Sequence, residues 1–146
     1  MTFTCAHRGD SSRFRENTLV AIQSAIDNGS EIIEIDVRIT KDGQVAVLHD
    51  PTLERLWGIS SQASDRDWNF ISKLGEGQDR IPLLSDVLPL FVGTQSTLMI
   101  DMEEADPAAL SYAVTASGPL DASQIRWCGN LDGMWMCSQK QWVGWV

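Results

Sequence analysis

The sequence holds two histidines, His7 and His49, and between them the alternation Glu34-Ile35-Asp36. Imidazole is the side chain that gives and takes protons near pH 7. Residues i and i+2 of a strand share a face, so Glu34 and Asp36 offer two carboxylates to one hard cation, for which Ca²⁺ or Mg²⁺ is better suited than Zn²⁺. Asp101 can supply a third carboxylate, and Glu103, two residues on, faces the same way. Two imidazoles beside such a cation suit the cleavage of a phosphodiester. The cation neutralises non-bridging oxygens, one imidazole activates the attacking hydroxyl or water, and the other protonates the departing alkoxide. Arg8, next to His7, can add a bidentate phosphate contact. Taken singly, a strand-end histidine is more often a core-edge hydrogen-bonding group, and Glu-x-Asp on a strand is more often an exposed polar face. Their convergence carries the reading.

Convergence needs elements that end at one edge of a sheet. Short apolar runs alternate with helix-like stretches, the pattern of an α/β fold with crossover helices. A first strand over 3–7 ends at His7, and a helix over 18–28 places Leu19, Ile22 and Ile26 on one stripe. The run Ile32–Ile39 alternates, with Ile33, Ile35, Val37 and Ile39 on one face and Glu34, Asp36 and Arg38 on the other. Asp42-Gly43 predicts a hairpin leading into a strand over 45–49. Residues 51–80 read as a long loop with one short helix, anchored by Trp57, Trp68, Phe70 and Leu74. Ser85 can cap a short helix through Phe91, with Pro89 tolerated in its first turn only. A strand over 98–102 carries Asp101, Asp106-Pro107 opens a further helix, and Ile125–Cys128 is a last strand. His7, His49, Glu34 and Asp36 then project from the C-terminal edge of a parallel sheet, where α/β folds bind ligands.

The 146 residues, 43% hydrophobic and 21% charged, have the bulk of one domain. The net charge of −9, from 11 basic and 20 acidic residues with the basic ones scattered, disfavours nucleic acid as a partner. No apolar run approaches the roughly 18 residues of a membrane span, and the start has no secretory pattern. Three widely spaced cysteines match neither a disulfide framework nor a zinc ribbon, so a reducing cytoplasm is expected, with Cys5 a small buried hydrophobe.

The ordered segments His7-Arg8-Gly9, Glu16-Asn17-Thr18, Glu34-Ile35-Asp36-Val37, Thr40-Lys41-Asp42-Gly43, His49-Asp50, Leu53-Glu54-Arg55 and Arg80-Ile81-Pro82-Leu83-Leu84 closely resemble the glycerophosphodiester phosphodiesterase family, over about residues 5–103. The resemblance implies a TIM-barrel-like (β/α)₈ fold of the phospholipase-C-like phosphodiesterase type. It implies hydrolysis of glycerophosphodiesters to an alcohol and sn-glycerol 3-phosphate, a small-molecule substrate. It also implies His7 and His49 as general acid and base, Glu34 and Asp36 as ligands of a divalent cation, and Arg8 near the phosphate.

Three features depart from that family's pattern. Arg15 stands where proline is usual, and Asp101-Met102-Glu103 stands where Glu-x-Lys is usual, which shortens a metal ligand and replaces a lysine by an acid. A complete barrel takes about 250 residues, so the length predicts roughly the first half of one. Residues 1–130 are thus read as a partial phosphodiesterase domain. Residues 131–146 form an atypical Trp-rich tail that reads as a readthrough or frameshifted end rather than a barrel segment. Open barrel edges then predict self-association. Two other readings are a non-catalytic remnant acting as a binding or assembly subunit, and a related phospholipid headgroup lyase.

Overall fold

The computed structural model describes residues 4–102, 115, 120–131 and 134–135. Four parallel strands lie side by side in the order β1 (Cys5–His7), β2 (Ile32–Ile39), β4 (Thr97–Asp101) and β5 (Ile125–Cys128). They are consecutive staves of a partial (β/α) barrel, as the alternation of elements in the sequence predicts.

Helix α1 (Leu19–Asp27) connects β1 to β2. It starts where Thr18 accepts a bond from the Ala21 amide and donates one to the Arg15 carbonyl, which satisfies a backbone group that the first turn leaves open. Its buried Ile22 and Ala25 pack in the core with the sheet, while the buried Ala21 lies under the loop at Gly9. The predicted helix is therefore correct, with Thr18 and Asn28 as its caps.

Strand β2 is central. Its Ile33, Ile35 and Val37 pack with Ile22, Ala25, Leu84, Val87, Leu88, Phe91, Leu98, Ile100 and Ile125 in the main core between sheet and helices. The register sets Glu34 beside His7 and Met99, and Asp36 beside Asp101, on the opposite face. That acid-bearing face, which alternation alone allows to be exposed, is buried at Glu34 and Asp36, because Arg8 and Asn17 of the loop after β1 fold over these two acids.

The hairpin forms at Asp42-Gly43, but its second strand, β3 (Val45–Val47), stops short of the predicted 49 and runs antiparallel to β2. Val45 and Val47 enter the main core. Ala46 and Leu48, pointing the other way, start a second one with Leu53, Ala63, Ile71 and Ile81. Trp57, Ile59, Trp68 and Leu74 pack against this second core. The segment expected to be a loop with one helix thus holds two single-turn helices, α2 (Glu54–Trp57) and α3 (Trp68–Ile71), and two 3₁₀ turns around a core of its own. Phe70 stays exposed, unlike the other anchors.

Helix α4 (Leu84–Val87) starts two residues earlier than a Ser85 cap would give, since the Asp86 carboxylate accepts the Leu83 amide. It continues as a 3₁₀ turn, Leu88–Phe91, which seats Pro89 in its first turn, where no backbone donor is needed. Cys5 is exposed on β1 rather than buried. The helix expected after Asp106-Pro107 lies outside the described residues, as does most of the tail. The strands β6 (Asn130–Leu131) and β7 (Met134–Trp135) pair antiparallel at the tail's start.

The loop from β1 to α1 passes against the helix at Gly9, whose φ is +77° and where a Cβ would lie 2.7 Å from the Ala21 carbonyl carbon. Gly43, at φ +79°, has nothing within 4 Å of such a Cβ. Gly43→Ala carries only the left-handed penalty of about 1–2 kcal/mol, whereas Gly9→Ala adds a backbone clash and should cost on the order of 2 kcal/mol more. Urea midpoints of the two variants test this, and equal losses would show that the close approach at Gly9 is not rigid.

Candidate active site

Carboxylate oxygens of Glu34, Asp36 and Asp101 all lie within 4.8 Å of one another. Two come from β2 at i and i+2, and the third comes from β4 in register with Asp36. The shorter aspartate at position 101 therefore still completes the group. Glu34 and Asp36 are buried. Burial above all, and then the charge of Asp36, push the Glu34 carboxyl up to about 8, while a bond from the Arg8 amide, 3.0 Å from Oε2, pulls it back. Three crowded oxygen donors in a buried place need positive charge, and the set is of the type that holds a hard divalent cation. The residues present fit such an ion.

Asp36 is oriented by Asn17, whose Nδ2 donates to Oδ2 at 2.9 Å and whose Oδ1 accepts the Asp36 amide at 3.2 Å. Asn17 is buried and sits at φ +59°, a left-handed conformation that asparagine tolerates better than most residues. Arg8 is also left-handed, at φ +60°. Its guanidinium reaches Glu16 at 3.0 Å and Asp36 at 3.2 Å.

His7 lies 3.9 Å from Glu34 through Nε2, with its side chain 52% exposed. Its imidazole is held below its ordinary range by burial first and by the Arg8 charge second. His49 reaches the same place by a route other than the predicted strand end. After β3 the chain runs back along β2, the Leu48 amide donates to the Asp36 carbonyl at 2.9 Å, and the Arg38 Nε donates to the His49 carbonyl at 2.8 Å. The Nδ1 of His49 is 2.7 Å from Asp50 Oδ1.

The structure thus brings together His7, Arg8, Glu34, Asp36, His49 and Asp101, while Glu103 lies outside the described residues. Four further residues belong to the group: Glu16, Asn17, Asp50 and Arg55. Each stands in one of the ordered sequence segments, which was the signal available. Arg55 links two of them, donating to Asp50 at 2.6 and 3.1 Å and to Glu16 at 2.7 and 3.0 Å.

The sequence pattern of the Glycerophosphoryl diester phosphodiesterase family matches residues 7–122. The chain belongs to this family. It is 38% identical over 112 residues to a glycerophosphodiester phosphodiesterase of Bacillus altitudinis, covering 70% of this chain and 45% of that protein. It is 38% identical over 103 residues to the human lysophospholipase D GDPD1, covering 61% of this chain and 33% of the relative. The crystal structure of a glycerophosphodiester phosphodiesterase from Agrobacterium tumefaciens superposes with a TM-score of 0.78 at 27% identity, over 88% of this chain and 58% of that one. The chain spans about half the length, or less, of the relatives it matches. Among the described residues no helix is long and apolar enough to cross a membrane.

Bonds from Arg55 in the main, and from His49, hold the Asp50 carboxyl down at about 2, against an ordinary value of about 3.9. A carboxyl depressed in the folded state adds stability that is fully present above about pH 4 and is lost as pH falls toward 2. Asp50→Asn should therefore cost about 1 kcal/mol at pH 6, after solvent screening, and the gap between variant and parent should close between pH 4 and pH 2. Thermal melts across that range measure it, and a gap that does not depend on pH would contradict the ion pair.

Proposed function

We propose that the chain catalyses the cation-assisted hydrolysis of glycerophosphodiesters to an alcohol and sn-glycerol 3-phosphate. The observation that supports this best is the cluster of Glu34, Asp36 and Asp101 beside the His7 imidazole, with His49 joined to it through Asp50, Arg55 and Glu16. Glu34, Asp36 and Asp101 would hold Ca²⁺ or Mg²⁺, which when bound supplies positive charge against the non-bridging phosphate oxygens. Arg8, kept in place by Glu16 and Asp36, is directed at the same phosphate. His7 and His49 divide the proton work: one takes a proton from the attacking hydroxyl or water, and the other gives one to the departing alkoxide. With Nδ1 of His49 engaged by Asp50, its Nε2 is the nitrogen left for that work. The likeness to a lysophospholipase D favours lysophospholipids as a second substrate class. The free thiols of Cys5 and Cys128 favour a reducing, cytoplasmic setting.

Release of glycerol phosphate from a glycerophosphodiester, measured with Ca²⁺ and with Mg²⁺, tests the proposal. His7→Ala and His49→Ala should each lose about 100-fold or more of the turnover, the usual scale for a general acid or base. Calorimetry should show cation binding that disappears in Glu34→Ala. Turnover close to that of the parent in either histidine variant refutes the roles given to the imidazoles.

Among the described residues β1 and β5 each pair on one side only. We propose that the chain self-associates through these edges. Light scattering coupled to size exclusion should find a dimer or larger species, and a cooperatively melting monomer would overturn this.

A further inference from the structure

We propose that Arg55 is a positioning residue for the phosphodiesterase reaction, one guanidinium fixing His49 through Asp50 and Arg8 through Glu16. The inference rests on the function proposed above. Surface ion pairs usually contribute little, and the Arg55 side chain is 47% exposed. Its geometry differs from an ordinary pair. The planar fork donates four bonds, two to each of two carboxylates, and those carboxylates belong to different segments, Glu16 lying 39 residues away. Both acceptors are largely buried, and each makes a second contact with the site. Oε1 of Glu16 also accepts from Arg8, and Oδ1 of Asp50 faces Nδ1 of His49.

Arg55 itself stands on a firm base. Leu53, just before α2, is fully buried, and Trp57, at the helix end, packs on the second core. The Arg15 guanidinium covers the Trp57 ring at 4.5 Å and donates to the Leu56 carbonyl at 2.7 Å. The second core therefore holds α2, α2 holds Arg55, and Arg55 sets the spacing between the neighbour of one imidazole and the neighbour of the other. Without the guanidinium, Glu16 and Asp50 would be two negative groups with no charge between them. They would move apart, and His49 would lose the acceptor that selects its tautomer.

Histidine ¹⁵N spectra at pH 8.5, where an ordinary imidazole is neutral, read the tautomer directly, and the presence of only two histidines makes assignment simple with His7→Ala. The parent should show His49 held as Nδ1–H. Arg55→Ala should shift it toward the Nε2–H form of a free imidazole and lower kcat about 10- to 100-fold, the usual scale for residues that orient a ligating or reacting group, with a much smaller change in KM. Added guanidinium should restore part of both. Arg55→Lys keeps the charge but not the fork, so it folds as the parent does and still loses the tautomer preference. An unchanged Nδ1–H signal in Arg55→Ala overturns the proposal. If that variant does not fold, an unchanged signal in Arg55→Lys does so instead. Should the parent turn over no glycerophosphodiester, the proposed function fails by itself, and the spectra still decide whether Arg55 positions His49.

Discussion

Three carboxylates within 4.8 Å of one another, two of them buried on one strand, form the constraint to which the rest of the structure answers. Like charges at such spacing in a poorly solvated place repel strongly, and the elevated Glu34 carboxyl registers that cost. The chain offsets it from three sides. The Arg8 amide and guanidinium approach Glu34 and Asp36, Asn17 donates to Asp36, and the geometry leaves the oxygens grouped as a cation would need them. The left-handed backbone at Arg8 and at Asn17 follows from this. Arg8 turns both its main-chain amide and its side chain toward the acids, and Asn17 turns its side chain to Asp36 while its amide bonds the Arg8 carbonyl. Gly9 can then pass against α1 only because it carries no side chain.

Much of this was legible in the sequence. The period-2 run of β2 located the strand to the residue, and the i, i+2 rule paired Glu34 with Asp36 correctly, because both depend only on neighbours in the chain. Three things were not legible, for one reason. That the acidic face is buried depends on Arg8 and Asn17 folding over Glu34 and Asp36 from the loop after β1, that His49 returns to Asp36 depends on the Leu48 amide bonding across the hairpin, and that Arg55 joins Glu16 to Asp50 depends on a contact spanning 39 residues. Each is a tertiary fact with no local signature. The Glu16-Asn17-Thr18 and Leu53-Glu54-Arg55 segments signalled the family without revealing what their residues touch.

The position of Asp101 shows how register can compensate for side-chain length. An aspartate reaches less far than the glutamate usual in the family pattern, yet the pairing of β2 with β4 sets it directly beside Asp36, so its oxygen still joins the group. The apolar register carries this precision. Leu98 beside Ile33 and Ile100 beside Ile35 pack on the opposite face, and a slip of one residue would turn every one of them into the acidic interior. The core that stabilises the sheet and the site that the sheet displays are therefore specified by the same alternation.

The hairpin extends that logic to the second core. Val45 and Val47 face the main core while Ala46 and Leu48 face the other, so one short strand couples the two and divides their tasks. The main core sets the spacing of the barrel strands and with it the carboxylates. The second core, built from a segment with little periodic signal, stabilises α2, from which Arg55 reaches back over the site. A loss of packing at Leu53 or Ile71 would first release the guanidinium that ties Glu16 to Asp50, and through Glu16 the loosening would reach Arg8 and the carboxylates of β2. The two cores are therefore linked in what they hold: one spaces the carboxylates, and the other steadies a chain of ion pairs that runs through Glu16 and Arg8 to Asp36.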